Sequence, residues 1–172
     1  MTTVVRNNRA AQVVSAVTRA TARALTRSME TGRTQAVRDL AAELGTTQAA
    51  IRKRLVLTRA TQEQLEASLR FTGKRLRLTE LGARQTRAGV TYRAHGGRGL
   101  VKGAFLATLR SGHTGAFKRK TNRRLPIREL FGASVPYVAT KQKILESTLQ
   151  AAVAAFTKNQ AHEVSRAASG AS

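Results

Sequence analysis

Apolar and polar positions follow three rhythms along the chain. From Arg9 to Glu30 there is no Gly or Pro, Ala is frequent, and Val13, Val17, Thr21, Leu25 and Met29 recur every four residues, with Ala20 and Ala24 beside them. That spacing predicts a helix with one apolar stripe, stopping at Gly32. A second, short helix is predicted to bury Val37, Leu40, Ala41 and Leu44 and to end with Gly45 as its C′ residue. Thr46 or Thr47 can cap a third, from Gln48 to about Leu57.

Beyond residue 60 the period shortens. Ala67, Leu69 and Phe71 alternate with polar residues, and so do Leu76 and Leu78 between Arg75 and Leu81. Gly89–Arg93, Lys102–Leu109 and Gly115–Arg119 read as further short strands, and His95-Gly96-Gly97-Arg98-Gly99 as a turn. After Ser134, a candidate cap, Pro136 suits a first helical turn, and Leu145, Leu149, Ala152, Val153 and Phe156 share one helical face. The expected fold class is α+β: long N-terminal and C-terminal helices packed on a small antiparallel sheet, with short helices between about 34 and 57. One compact domain is expected, divided into a helical region 1–60, a basic, Gly-punctuated β region 61–133, a C-terminal helix 134–166 and a frayed tail 167–172. The glycines and poor apolar content of 66–100 suggest an arm that reaches a neighbouring copy.

Composition narrows the function. With 172 residues and 41% hydrophobic content the chain can bury a core. It holds five Phe, two Tyr and no Trp, so that core must be aliphatic. No Cys means no disulfide, thiol nucleophile or Cys-based zinc site. One Asp, Asp39, and eight Glu leave little for paired-carboxylate chemistry, and His95, His113 and His162 lack metal-ligand spacing. No cofactor or metal is expected. No apolar run approaches a membrane span, and Met1–Arg9 lacks the apolar stretch of a signal peptide.

Lys+Arg number 31 against nine acidic residues, a formal net charge of +22. Residues 1–45 carry net +4, 46–130 net +16 and 131–172 net +2, so the charge belongs to the middle of the chain, and an anionic partner is expected. The cations cluster at Arg52-Lys53-Arg54, at Lys74, Arg75 and Arg77, at Lys118-Arg119-Lys120 and at Arg123-Arg124. Such clusters neutralise phosphates, whereas the scarcity of aromatics argues against base stacking. Their alternative use is against acidic subunits of an assembly. Ala41, Gly45 and Ile51 also fit a helix-turn-helix over 35–55, which would make the chain a DNA-binding regulator, although Arg54 stands where an inward residue belongs. An RNA-binding or ribosome-associated protein fits the charge alone. His113, in a Gly-flanked loop, has no carboxylate near it in sequence and reads as a turn residue.

A longer pattern is more specific. Gly103-Ala104-Phe105 is followed by Ser111-Gly112-His113-Thr114-Gly115-Ala116-Phe117-Lys118-Arg119, then by Leu125-Pro126-Ile127 and by Gly132-Ala133-Ser134-Val135-Pro136. Upstream stand Gly82-Ala83-Arg84-Gln85-Thr86 and Gly89-Val90. This order resembles the lambda-type phage minor tail protein Z family, over roughly 75–160 and more loosely at the N-terminus. Ala133 departs from a frequent Pro, which affects only the turn. The resemblance implies a non-enzymatic virion protein that completes the head-proximal end of the tail and takes part in head–tail joining, after assembly in the host cytoplasm. It implies a ring of copies around the DNA path, with a hexamer expected. The implied partners are tail terminator, tail-tube and neck proteins and packaged DNA, contacted without regard to sequence.

Overall fold

The computed structural model describes residues 8–73, 75–94, 97–141 and 143–169. It has long N- and C-terminal helices and small antiparallel sheets, as an α+β chain should. Two compact units emerge: one takes its described residues from 8–35, 57–70 and 146–169, the other from 36–56 and 71–145.

The first unit is a helix pair. Helix α1 runs unbroken from Asn8 to Leu44, so Gly32 is not a stop. A Cβ at Gly32 would stand 3.0 Å from the Thr148 carbonyl oxygen and 3.1 Å from Ala152 Cβ, both on α4 (Ile144–Ser169). The glycine is the point where two backbones approach. The buried stripe of α1 in this unit runs through Ala20 and Ala24, which belong to the predicted stripe, to Ser28 and Gly32, whereas Val13 and Val17 of that stripe are 51% and 41% exposed. On α4 the predicted face is likewise buried only in part. Thr148, Ala152 and Glu163 are buried, while Leu145, Leu149 and Val153 are exposed rather than inward as their spacing suggested. Small residues win the inner face because they let two helices close to backbone distance, where dispersion contacts are densest.

Replacing Gly32 with leucine should therefore wedge the pair and cost about 2–3 kcal/mol in urea unfolding. Gly32→Ala should be nearly neutral, because roughly 1 kcal/mol of gained helix propensity offsets a shift of a few tenths of an ångström. Equal stability of the two variants would remove the crossing from this account.

The second unit begins with the end of α1, which buries Val37, Leu40 and Leu44. Gly45 follows with φ 60, the left-handed residue expected there. Helix α2 covers just Gln48–Arg52, with the Thr47 side chain accepting from the Ala50 N–H, and the chain turns into strand β1 (Leu55–Thr58) instead of staying helical to 57. Five residues cannot lie along a major groove, so the helix-turn-helix reading falls.

Strands β2 (Ser68–Phe71), β3 (Arg75–Arg77), β4 (Arg84–Thr86), β5 (Gly89–Ala94), β6 (Gly97–Lys102), β7 (Ala104–Thr108), β8 (Thr114–Arg119), β9 (Ile127–Glu129) and β10 (Phe131–Ser134) follow. They form four small sheets, β1-β2, β3-β10, β4-β5-β6 and β7-β8-β9, rather than one. His95 and Gly96, assigned to a turn, lie outside the described residues. Leu76, Leu78 and Leu81, the last two on a 3₁₀ turn, are fully buried with Val90, Val135 and Val138. Residues 75–81 thus belong to the unit's own core and are no part of an arm. Helix α3 (Val135–Lys141) opens with Pro136 in its first turn. The expected single C-terminal helix is two: Lys143, at φ 54, separates α3 from α4.

Candidate functional site

Alternation on β3 sends Leu76 inward and leaves Arg75 and Arg77 exposed on one side. Strand β10 runs antiparallel to it, with Phe131 opposite Arg77 and Ser134 opposite Arg75. Arg54 joins them from another part of the chain. Its Nη2 donates to both carboxylate oxygens of Glu80, at 3.0 and 2.9 Å, and its Nη1 to the Ala50 carbonyl at 2.8 Å. Glu80 also accepts from the Arg77 backbone N–H at 2.9 Å, so one carboxylate fixes two of the predicted positions. Arg54 Nε is buried and has no hydrogen-bond partner. Arg54, Arg75, Arg77, Glu80 and Phe131 surround an open cavity of about 520 Å³.

The predicted clusters therefore separate by role. In the first, Arg54 is a structural cation already paired, while Arg52 and Lys53 are exposed. Lys74 lies outside the described residues. In the third, Lys118 is half-buried, and Arg128 on β9 stands directly opposite it. Like charges facing each other across a strand pair are unfavourable, and an anion between them would relieve that. The Arg119 guanidinium stands 5.3 Å from the centre of the Phe105 ring. Lys120, Arg123 and Arg124 are exposed on the connection from β8 to β9.

A further group comes from hairpin register. Arg93 on β5 faces Arg98 on β6, and both line a narrow cleft with Arg84, Gly82, Thr91 and Tyr92. The sequence motif includes Gly82 and, of these arginines, Arg84 alone. Arg93, Arg98 and Arg128 stand singly in the sequence and become neighbours by strand pairing, which a count of adjacent cations does not see.

The other motif residues hold this surface in shape. The Gln85 side-chain carbonyl accepts the Leu106 N–H of β7 at 2.8 Å, and its amide donates to the Thr86 and Gly89 carbonyls. One glutamine thereby ties β4 and the β5 turn to the free edge of β7. Gly82 ends the 3₁₀ turn in the left-handed region, and Gly103 and Gly112 turn the chain at φ 69 and 78. His113 Nε2 lies 2.9 Å from Glu129 Oε1, so the missing carboxylate is supplied across β8 and β9, sixteen residues away. A Cβ at Gly115 would meet that carboxylate at 2.9 Å and the Phe117 ring at 3.0 Å, so only glycine leaves the pair its space. Phe117 in turn packs on Phe105, with Ala104 buried beside them. A Cβ at Gly132 would fall 2.4 Å from Leu81 Cδ1, in the core. The Pro126 carbonyl accepts the Lys120 N–H, and Ile127 pairs opposite Arg119, which returns the chain to the sheet after the basic connection.

The family model of the prophage minor tail protein Z (GPZ) matches residues 11–168. The chain belongs to that family. It is a structural protein of a phage tail and so of the virion. No curated protein and no solved structure matches it. For this member of the Z family, no group of His, Asp and Glu among the described residues could hold a metal ion, and no helix there is long and apolar enough to cross a membrane.

Proposed function

We propose that this tail protein completes the head-proximal end of the tail and takes part in head–tail joining, as a self-assembled ring through which packaged DNA passes. The observation that carries the reading is the exposed cation surface of the second unit. Arg75, Arg77, Arg84, Arg93, Arg98, Lys120, Arg123 and Arg124 stand on strand faces and connections, and the carboxylates among them, Glu80 and Glu129, are already engaged. Such a surface suits phosphate backbones, which carry no base sequence. The outward stripe Leu145, Leu149 and Val153 supports contact with further subunits, terminator, tube or neck proteins among them. Assembly in the host cytoplasm and six-fold closure belong to the same reading.

The test has two parts. Electron microscopy of labelled tails should place the protein at the head-proximal end, and a position at the distal tip would sink the reading. The purified protein should bind unrelated duplexes of one length equally. Changing Lys120, Arg123 and Arg124 to glutamine should flatten the log–log dependence of affinity on salt by about 2.7. An unchanged slope would remove these three residues from the DNA path.

A further inference from the structure

We propose that the basin formed by Arg75, Arg77 and Phe131 receives the loop around Glu63–Glu66 of a second copy of this chain. The inference rests on the self-assembly reading above and supplies its repeating joint.

The loop between β1 and β2 is closed at its tip. The Thr61 N–H donates to the Gln64 carbonyl at 2.9 Å, and the Gln64 N–H donates to Thr61 Oγ1 at 3.1 Å. Glu63, Leu65 and Glu66 are all exposed, Leu65 by 48%. The charge inventory makes this loop unusual. Among the described residues Glu30, Glu80, Glu129 and Glu163 are held by Arg59, Arg54, His113 and a group of arginines, and Asp39 and Glu43 are also engaged. That leaves Glu63, Glu66 and Glu146 as carboxylates without a hydrogen bond or ion pair. A chain of net charge +22 thus carries, of the three uncommitted side-chain carboxylates among its described residues, two on one preformed loop, three residues apart, around an exposed leucine.

The basin is the complement. Two exposed guanidiniums can each grip a carboxylate with paired N–H donors. Phe131, 46% exposed, offers an apolar wall for the leucine. The Arg54–Glu80 pair lines the same basin and is already joined by two hydrogen bonds. Phosphate backbones suit the two arginines as they suit the rest of this surface, but they bring no apolar group to Phe131. The two patches differ, so the contact is heterologous and repeats from copy to copy, closing into a ring where the rotation allows.

The absence of cysteine makes the joint easy to trap. Full-length Leu65→Cys and Phe131→Cys chains, mixed under mild oxidation, should give a mixed disulfide well above the product of either alone. Adding Glu63→Lys and Glu66→Lys to the first chain should lower the yield about tenfold, and adding Arg75→Glu and Arg77→Glu to the second should restore it. A joint that closes only on the growing particle is covered by the double variant Leu65→Cys/Phe131→Cys in assembled tails, where a covalent ladder is expected. Absence of both the mixed disulfide and the ladder overturns the proposal. Labelled protein still found at the head-proximal end of those tails would leave the proposed function standing. Loss of duplex binding by Arg75→Glu/Arg77→Glu without any cross-link would assign the basin to nucleic acid and equally overturn the joint.

Discussion

Gly89→Ala is expected to unpair the β5–β6 hairpin and to destabilise the second unit by about 3 kcal/mol or more. Gly89 sits at φ 150, a conformation that L side chains rarely adopt, and an added Cβ would lie 2.1 Å from the Val101 carbonyl oxygen and 3.0 Å from Lys102 Cα. Both are backbone atoms of the partner strand, so no rotamer change relieves the clash. The strands must separate at the point where Gly89 pairs with Lys102, next to fully buried Val90. Urea unfolding should show the lost stability, and hydrogen exchange should show faster amides along 97–102. Native-like exchange there would mean that the close approach is not needed.

Glu163 carries the second large effect. It is fully buried on α4, accepts from Arg23 Nε at 2.7 Å and from Arg27 Nη1, and has Arg166 at 3.7 Å. The Arg23 hydrogen bond, with the charges of Arg166 and Arg27, outweighs burial and holds this carboxyl below the ordinary glutamate value of 4.5. A carboxyl whose pKa is depressed by folding stabilises the folded state above its unfolded value and stops doing so as pH falls through the folded one. Glu163→Gln should therefore cost about 2–3 kcal/mol at neutral pH, less than the roughly 3–5 kcal/mol of a fully buried broken pair, because the arginine heads are near half exposed and can rehydrate. As pH falls below about 4.5 the wild type should lose this advantage and converge on the variant. Parallel stability curves between neutral pH and pH 2 would show that the charge of Glu163 is not what matters.

Element types were largely legible where one residue class dominates a short window. The alternations at 67–71, 89–93 and 115–119 became β2, β5 and β8, and Pro136 opened a helix as expected. The errors share a cause. The predicted faces held large and small residues alike; of these Ala20, Ala24 and Ala152 are buried, together with Gly32, whereas Val13, Val17, Leu149 and Val153 are exposed. Gly32 looked like a terminator because glycine's low helix propensity is local, while the carbonyl it accommodates comes from more than a hundred residues away. The cation surface was half legible. Runs such as Arg123-Arg124 are visible in one dimension, but the pairing of Lys118 with Arg128, the neutralisation of Arg54 by Glu80 and the His113–Glu129 contact depend on register across strands.

The β5–β6 hairpin also carries its own optical label. The Tyr92 ring lies against Gly99 directly across the strand pair, so closely that a Cβ there would be 2.5 Å from the ring carbon bearing the hydroxyl. The chain's other tyrosine, Tyr137, is exposed on α3, and there is no tryptophan to take up their excitation. Tyrosine absorbance and emission of the unmodified protein therefore report on just two places. A change confined to the sheltered ring would show the hairpin meeting something in solution, without any dye attached.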